Sequence, residues 1–331
     1  LLIRLFLSAP IGFASQQTMQ QNRKKLLKSA MRIGIDLGGT KIEGVVLDAC
    51  GNELLRKRVD TRQAEGYWAI LQSIDRLVKT LEVEAGSQCT VGIGTPGAIS
   101  ALTGRMKNSN TVCLNGQPLF EDLQALLDRP LRIANDANCF ALSEAFDGAG
   151  QGYGVVFGVI MGTGVGGGIV FNGRLHQGHH HIGGEWGHNI LDRRGPNCYC
   201  GQQGCVETLI SGPGLAADFH SHGGNRALIA NDIATLAAQG DDLAEAAMQR
   251  FFDRFGRALA TVVNILDPDA IILGGGLSNI DRLYTEGRAR IAQYVFNDEF
   301  TTPILRNIHG DSSGVRGAAQ LWRSDDTIYF S

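Results

Sequence analysis

Proline is scarce in this chain, 8 residues against 44 glycines, and the glycines fall in short runs instead of spreading through a low-complexity linker. Such runs mark places where backbone approaches something closely. A long basic block is missing from the body and the formal charge is −3, so counterion-release binding to DNA or RNA has little to work with, and no nucleic-acid partner is expected. No stretch is apolar enough for long enough to cross a bilayer, since Leu1 to Leu7 is interrupted by Arg4 and is far too short; no membrane partner is expected. A disulfide framework is absent as well. There are seven cysteines, an odd number, and Cys50, Cys89, Cys113 and Cys139 are scattered singly, which fits a reducing compartment and a cytoplasmic location. At 331 residues the chain exceeds one ordinary core, so two lobes around a cleft are expected, and a cleft suits a small substrate.

Residues 1–30 differ from the rest. They carry Arg4, Arg23, Lys24, Lys25 and Lys28 without any Asp or Glu, and they read as an extension, disordered or not native, ahead of a domain that begins at Met31. From there Arg32 to Asp36 reads as a strand, Leu37-Gly38-Gly39-Thr40 as a tight turn, and Lys41 to Leu47 as an antiparallel return. A helix over Tyr67 to Glu84, a strand at Val91 to Ile93, a loop through Asn115, a strand at Leu131 to Ala134 and a helix over Ala137 to Phe146 complete a first α/β lobe, 31–147. A second lobe, 148–311, opens with strands Gly154 to Met161 and Gly168 to Phe171 around another glycine turn. It continues through a long amphipathic helix, Asp242 to Leu266, to a strand at Ala270 to Leu273. A last helix, about Val315 to Trp322 within 312–331, is expected to pack back on the first lobe.

The densest chemistry lies between Gly183 and Glu207. His188, Cys198, Cys200 and Cys205 follow one another at intervals of 10, 2 and 5 residues; one imidazole and three thiolates suit tetrahedral zinc, and four protein ligands leave no open position, so the metal is structural. A disulfide or unrelated core thiols are the plainer alternative. Zinc on one ring nitrogen of His188 would leave the other for a ligand, with Glu185 and Glu207 fixed alongside, and the metal is expected to organise this sugar-facing side and not the phosphate loops. The triplet His179-His180-His181 reads as a solvated loop.

Asp36-Leu37-Gly38-Gly39-Thr40-Lys41 places a carboxylate, two glycines, a hydroxyl and an amine on one turn whose N–H groups can hold phosphate oxygens, and Asp36 can reach magnesium. It is not a Walker A loop, and a glycine hairpin with an incidental acid is the alternative. Gly162-Thr163-Gly164-Val165-Gly166-Gly167 formally matches a dinucleotide fingerprint, but the β-rich Ile169-Val170-Phe171 follows where a helix should start, so that reading fails. Two such hairpins can close on a triphosphate, with Thr163 donating to the outer phosphates and a purine lying on the bare backbone of Gly274-Gly275-Gly276. Asp136, where a strand meets a helix, is either a helix cap or a base for an attacking hydroxyl. Asn110, Asn135, Glu185, His188 and Glu207 form a polar set suited to a polyol.

Taken together, the Asp36 to Lys41 turn, Asn135-Asp136, Gly162 to Gly167, Glu185-Trp186-Gly187-His188, the Cys198 to Glu207 segment and Leu273 to Gly276 resemble the ROK family of bacterial sugar kinases and repressors. The resemblance spans Met31 to about Trp322. It implies the two-lobed α/β fold shared by sugar kinases and actin, here with a structural zinc loop. ATP with magnesium would be the phosphoryl donor, bound by Asp36, Gly38, Gly39, Thr40, Lys41, Gly162, Thr163, Gly164, Gly275 and Gly276, and a homodimer is expected. Asp136 would be the base, with sugar contacts at Gly97, Asn110, Asn135, Asp136, Glu185, His188 and Glu207, and with zinc on His188, Cys198, Cys200 and Cys205. The details Glu185-Trp186-Gly187-His188-Asn189, Cys198-Tyr199-Cys200 and Gly310 to Gly317 look most like the fructokinase branch, which phosphorylates the 6-hydroxyl of fructose and sometimes mannose. N-acetylglucosamine kinases and glucokinases of the family share nearly every contact residue and are the alternative. A sugar-responsive repressor would need a helix-turn-helix that residues 1–30 do not supply.

Overall fold

The computed structural model describes residues 31–322; the extension over 1–30 and the expected helix beyond 322 lie outside the described residues. The first half contains β1 (Arg32–Leu37), β2 (Lys41–Leu47), β3 (Glu53–Asp60), α1 (Tyr67–Ala85), β4 (Thr90–Thr95) and a small hairpin of β5 (Ala98–Ile99) with β6 (Met106–Lys107). It continues with α2 (Leu119–Leu127), β7 (Leu131–Asn135) and α3 (Asp136–Asp147). Five of these strands form a sheet in the order β3-β2-β1-β4-β7. β1, β2 and β3 run antiparallel, whereas β4 and β7 are parallel to β1. Alternation is lost in β1 and β2 because both faces are covered, with Val45, Val46 and Leu47 buried in succession.

The second half repeats that topology. It comprises β8 (Val155–Met161), β9 (Val165–Phe171), β10 (Arg174–Leu175), α4 (Val206–Ile210), α5 (Gly212–Ser221), α6 (Ala230–Ala238), α7 (Asp242–Leu266), β11 (Ala270–Gly274), α8 (Glu286–Tyr294), β12 (Ile304–Arg306) and α9 (Ser313–Gln320). The sheet order is β10-β9-β8-β11-β12, again three antiparallel strands followed by two parallel ones. α7 starts where Asp241 caps the Ala244 N–H at 2.8 Å and stops at Asp267, which takes a left-handed φ of 45°. Its inner stripe, Met248, Phe251, Phe252, Phe255 and Leu259, fills the second core.

α9 returns to the first sheet, as expected of the C-terminal helix. A β-carbon on Gly92 would fall 1.9 Å from the Ala318 carbonyl oxygen, and one on Gly317 would fall 1.7 Å from that of Cys139; glycine at those points lets α9 lie directly on β4 and α3.

Four features depart from the sequence expectation. β3 was not expected because its charges occupy both faces; it is an edge strand, where Arg58 and Lys57 pair with Glu43 and Glu84 instead of facing a core. The segment expected as a loop through Asn115 holds β5, β6 and a helical turn at Val112–Leu114. The nine-residue α2 that follows is too short to announce a period, and β12, with three residues, is shorter still. Among the described residues no helix is long and apolar enough to cross a membrane.

Candidate functional site

Both glycine motifs are hairpin tips at the same end of their sheets. In the first, the Gly38 N–H donates to the Lys41 carbonyl at 3.0 Å, and Thr61 clamps the turn from β3's end, donating its hydroxyl to Gly38 O at 2.7 Å and its N–H to Thr40 O at 3.0 Å. Thr61 is buried and belongs to no motif, so nothing local announces it. Gly39, Thr40 and Lys41 stay exposed. In the second, the Gly162 N–H reaches Gly164 O at 2.9 Å and Thr163 is exposed at the tip. At the end of β11, Gly275 has φ 76° and a β-carbon there would meet the Met161 carbonyl at 2.4 Å, while Gly276 faces open space. Bare backbone therefore lines all three approaches.

Asp36 ends its side of β1, and Asp136 begins α3. Burial first, then the charges of Asp136 and Glu43, push the Asp36 pKa up to about 7. For Asp136 the low-dielectric surround of the cleft and the Glu185 charge raise the pKa against the Ala137 N–H that lowers it, although solvent reaches the side chain. The capping role falls to its neighbour. Asn135 Oδ1 accepts from the Ala137 and Asn138 N–H groups at 2.8 and 3.3 Å and is the N-cap, while Asp136 Oδ1 shares the Ala137 N–H at 2.8 Å. Glu185 is also raised, by desolvation and by Glu207, against His188 and Lys107. Asp36, Glu43, Asp136, Glu185 and Glu207 are thus linked through one region, an arrangement that asks for cations or protons.

Gly97 has φ 82°, and a β-carbon there would strike the Lys107 carbonyl at 2.5 Å and the Ser109 N–H nitrogen at 2.8 Å. It fixes the β5–β6 hairpin beside the cleft. Asn110 is exposed.

The ligand atoms of His188, Cys198, Cys200 and Cys205 all lie within 4.8 Å of one another. Cys200 Sγ to Cys205 Sγ and Cys198 Sγ to His188 Nδ1 are both 3.6 Å. Tetrahedral bonds of about 2.3 Å place ligands roughly 3.7 Å apart, so the donors fit zinc, and the thiols are free, not bridged. Two sequence expectations need correction here. The second nitrogen of His188 has a partner in the chain itself: its Nε2 lies 3.1 Å from the hydroxyl of the exposed Tyr199, a contact that no motif announces. Nor does the loop serve the sugar side alone. Glu207 Oε2 accepts from the Val165 N–H at 2.9 Å, the Gly212 N–H donates to Gly162 O at 2.8 Å, and the Trp186 indole donates to Gly166 O at 3.2 Å. The loop is laced to the second hairpin because α4 and α5 pass directly behind its tip. Of the three histidines, His179 and His180 are exposed, while His181 Nδ1 lies 3.3 Å from Ile99 O, joining that loop to the β5 hairpin.

Comparison with known proteins agrees with this geometry. The ROK family model matches residues 32–325. An N-acetyl-D-glucosamine kinase of Escherichia coli is 40% identical over 305 residues, covering 89% of this chain and all of that protein. A ROK hexokinase of Thermus thermophilus superposes with a TM-score of 0.78 at 32% identity, covering 88% of this chain and 97% of the other. A ROK glucokinase of Streptomyces griseus, solved with glucose and AMPPNP, gives 0.72 at 28% identity and covers 88% and 98%. The expected fructokinase is overturned by these relatives. The signs taken for that branch, Glu185 to Asn189, Cys198-Tyr199-Cys200 and Gly310 to Gly317, are therefore compatible with an N-acetyl-D-glucosamine kinase relative. On its sequence, its fold and the layout of its cleft, the chain belongs to the ROK family.

Proposed function

We propose that this sugar kinase transfers the terminal phosphoryl group of ATP to the 6-hydroxyl of N-acetyl-D-glucosamine. The observation that carries the reading is the end-to-end match to an N-acetyl-D-glucosamine kinase at 40% identity, and the cleft supports it with an acid, Asp136, set between two glycine hairpins. Asp136 accepts the proton of the attacking hydroxyl; its raised pKa suits it to hold that proton once taken. Asn135, its Oδ1 engaged by the cap, orients sugar with its amide N–H₂, and Glu185 accepts sugar hydroxyls. The exposed N–H groups of the two tips cradle the phosphates, and Gly275-Gly276 receives the purine. Magnesium, when bound, supplies neutralising charge at the phosphates, and Asp36 is the residue that would hold it. Zinc on His188, Cys198, Cys200 and Cys205 supplies rigidity only. Closing the halves of the cleft excludes water, which otherwise competes as acceptor.

A coupled ATP assay across N-acetyl-D-glucosamine, glucose, mannose and fructose tests the reading. The highest kcat/KM is expected for the N-acetylated sugar. A higher value for glucose would make the chain a glucokinase, and absence of turnover on every hexose would remove the kinase reading.

A further inference from the structure

The contact between His188 and Tyr199 has no part in the chemistry described so far. His188 ends the helical turn Trp186–His188, which its N–H closes by donating to Glu185 O at 3.2 Å, so the imidazole and the Glu185 carboxylate stand on one short turn. Its Nδ1 faces Cys198 Sγ at 3.6 Å and is therefore the nitrogen on the metal side. An imidazole that gives one nitrogen to a metal keeps its proton on the other, so Nε2–H is a donor and whatever meets it must accept. Here the acceptor is the Tyr199 hydroxyl oxygen at 3.1 Å, with the two rings edge to face at 5.2 Å. Glu185 links this nitrogen to the reaction centre, since the imidazole charge acts on Glu185 and the Glu185 charge acts on Asp136.

The backbone beneath Tyr199 is fixed and its side chain is not. The Cys198 N–H donates to Gln202 O at 2.8 Å and the Gly201 N–H to Cys198 O at 3.0 Å, which closes the reversal that carries Tyr199 between two thiols. The side chain itself is 74% exposed, too open to serve as packing for the loop. It can leave His188 by changing its own χ1 rotamer, with no metal donor moved. A phenol oxygen and a sugar hydroxyl oxygen are the same kind of acceptor for an N–H donor, and Nε2 has a single proton to offer.

We propose that Tyr199 is a placeholder in the empty sugar site: its hydroxyl holds His188 Nε2 until a substituent of the hexose displaces it, so sugar binds more weakly than the same pocket would bind it without the phenol oxygen. The arrangement keeps the imidazole oriented while the site is empty. It rests on the sugar-kinase reading and not on which hexose is taken.

Calorimetric titration of wild type and Tyr199→Phe, without ATP, tests this with the hexose that gives the highest kcat/KM. Phenylalanine keeps the ring and removes the competing oxygen, so the variant is expected to bind sugar about two- to tenfold more tightly, the range that one neutral hydrogen bond covers, with zinc content by elemental analysis equal to wild type. A residue that only braces the loop cannot tighten binding when its hydroxyl is removed. Unchanged or weaker binding, or loss of zinc from the variant, overturns the proposal. The gain should also depend on one substituent: among analogues lacking the group at carbon 1, 2, 3 or 4 of that hexose, one is expected to bind both proteins equally, and a gain that persists on all four overturns it as well. If wild type binds and phosphorylates no hexose, the sugar-kinase reading fails and the placeholder with it; if wild type binds sugar and Tyr199→Phe binds it no tighter, only the placeholder does.

Discussion

Asn135 and Asp136 are adjacent residues with the same potential to cap a helix, and the division of labour between them is decided by one torsion. Asn135 is extended, with φ −65° and ψ 152°, and turns its oxygen back on α3; Asp136 is already helical, shares the Ala137 N–H through Oδ1 and stays exposed. Asp136→Asn is therefore expected to lower kcat by 10²–10⁴-fold while leaving KM for sugar within a few-fold, since the amide keeps the shape and cannot take the proton. Near wild-type turnover in that variant would remove Asp136 from the chemistry. Asp36 makes a separate prediction through pH. Its folded pKa of about 7 lies above the ordinary 3.8, so the folded state favours the protonated acid, and that contribution is lost as pH rises towards and through 7. Relative to wild type, Asp36→Asn should thus gain more thermal stability at pH 8 than at pH 5, by roughly 5 °C. Melting curves of the unliganded protein at both pH values check the sign.

Among the elements, the Cys198–Cys205 loop and the second hairpin form one unit. Glu207 reaches the hairpin through Val165, and Gly187 and Gly164 have no room for a side chain, because a β-carbon would meet Val165 O at 2.1 Å and Glu207 Oε2 at 2.5 Å. Loss of metal ligation should then be felt on both sides. Cys200→Ser is expected to lower bound zinc, measured by elemental analysis, and to raise KM for ATP by a factor within about threefold of its rise for sugar. A variant that loses zinc and sugar affinity with ATP affinity untouched would show the two elements to be independent. This coupling was not legible in the sequence. The cysteine spacing states which atoms can meet a metal but not what passes behind the loop, and Glu207 lies 42 residues from its partner.

Across the whole molecule, the two sheets are joined by α3 and by the return from β12 to α9, and a single buried carboxylate fastens those connections together. Glu144, fully buried, accepts from the N–H groups of Ala149, Ile308 and His309 at 3.0 to 3.2 Å and from the Ser313 hydroxyl at 2.8 Å. One turn on, Asp147 takes His309 Nε2 at 2.9 Å and Arg316 at 2.5 Å, and His309 and Arg316 hold its pKa below the usual carboxylate range against the burial that raises it. Glu144→Ala would strand several buried donors and is expected to destabilise the fold by about 3–4 kcal/mol, with Glu144→Gln losing less because it keeps one acceptor. Urea unfolding of both variants measures it; equal, small losses would mean that the junction is held by packing of α9 on the sheet alone.

The sequence by itself determined what depends on neighbours within a few residues. The two glycine hairpins, the donor set around Cys200 and the long amphipathic α7 are of this kind, because turn conformations, ligand spacing and helical periodicity are all local properties. Segments too short or too evenly charged to display a period, α2, β3 and β12, were not legible for the same reason. Tertiary structure alone decided the rest. That Tyr199 reaches the second nitrogen of His188, that Glu207 grips the second glycine hairpin and that Glu144 ties residues 164 to 169 positions away are matters of chain path.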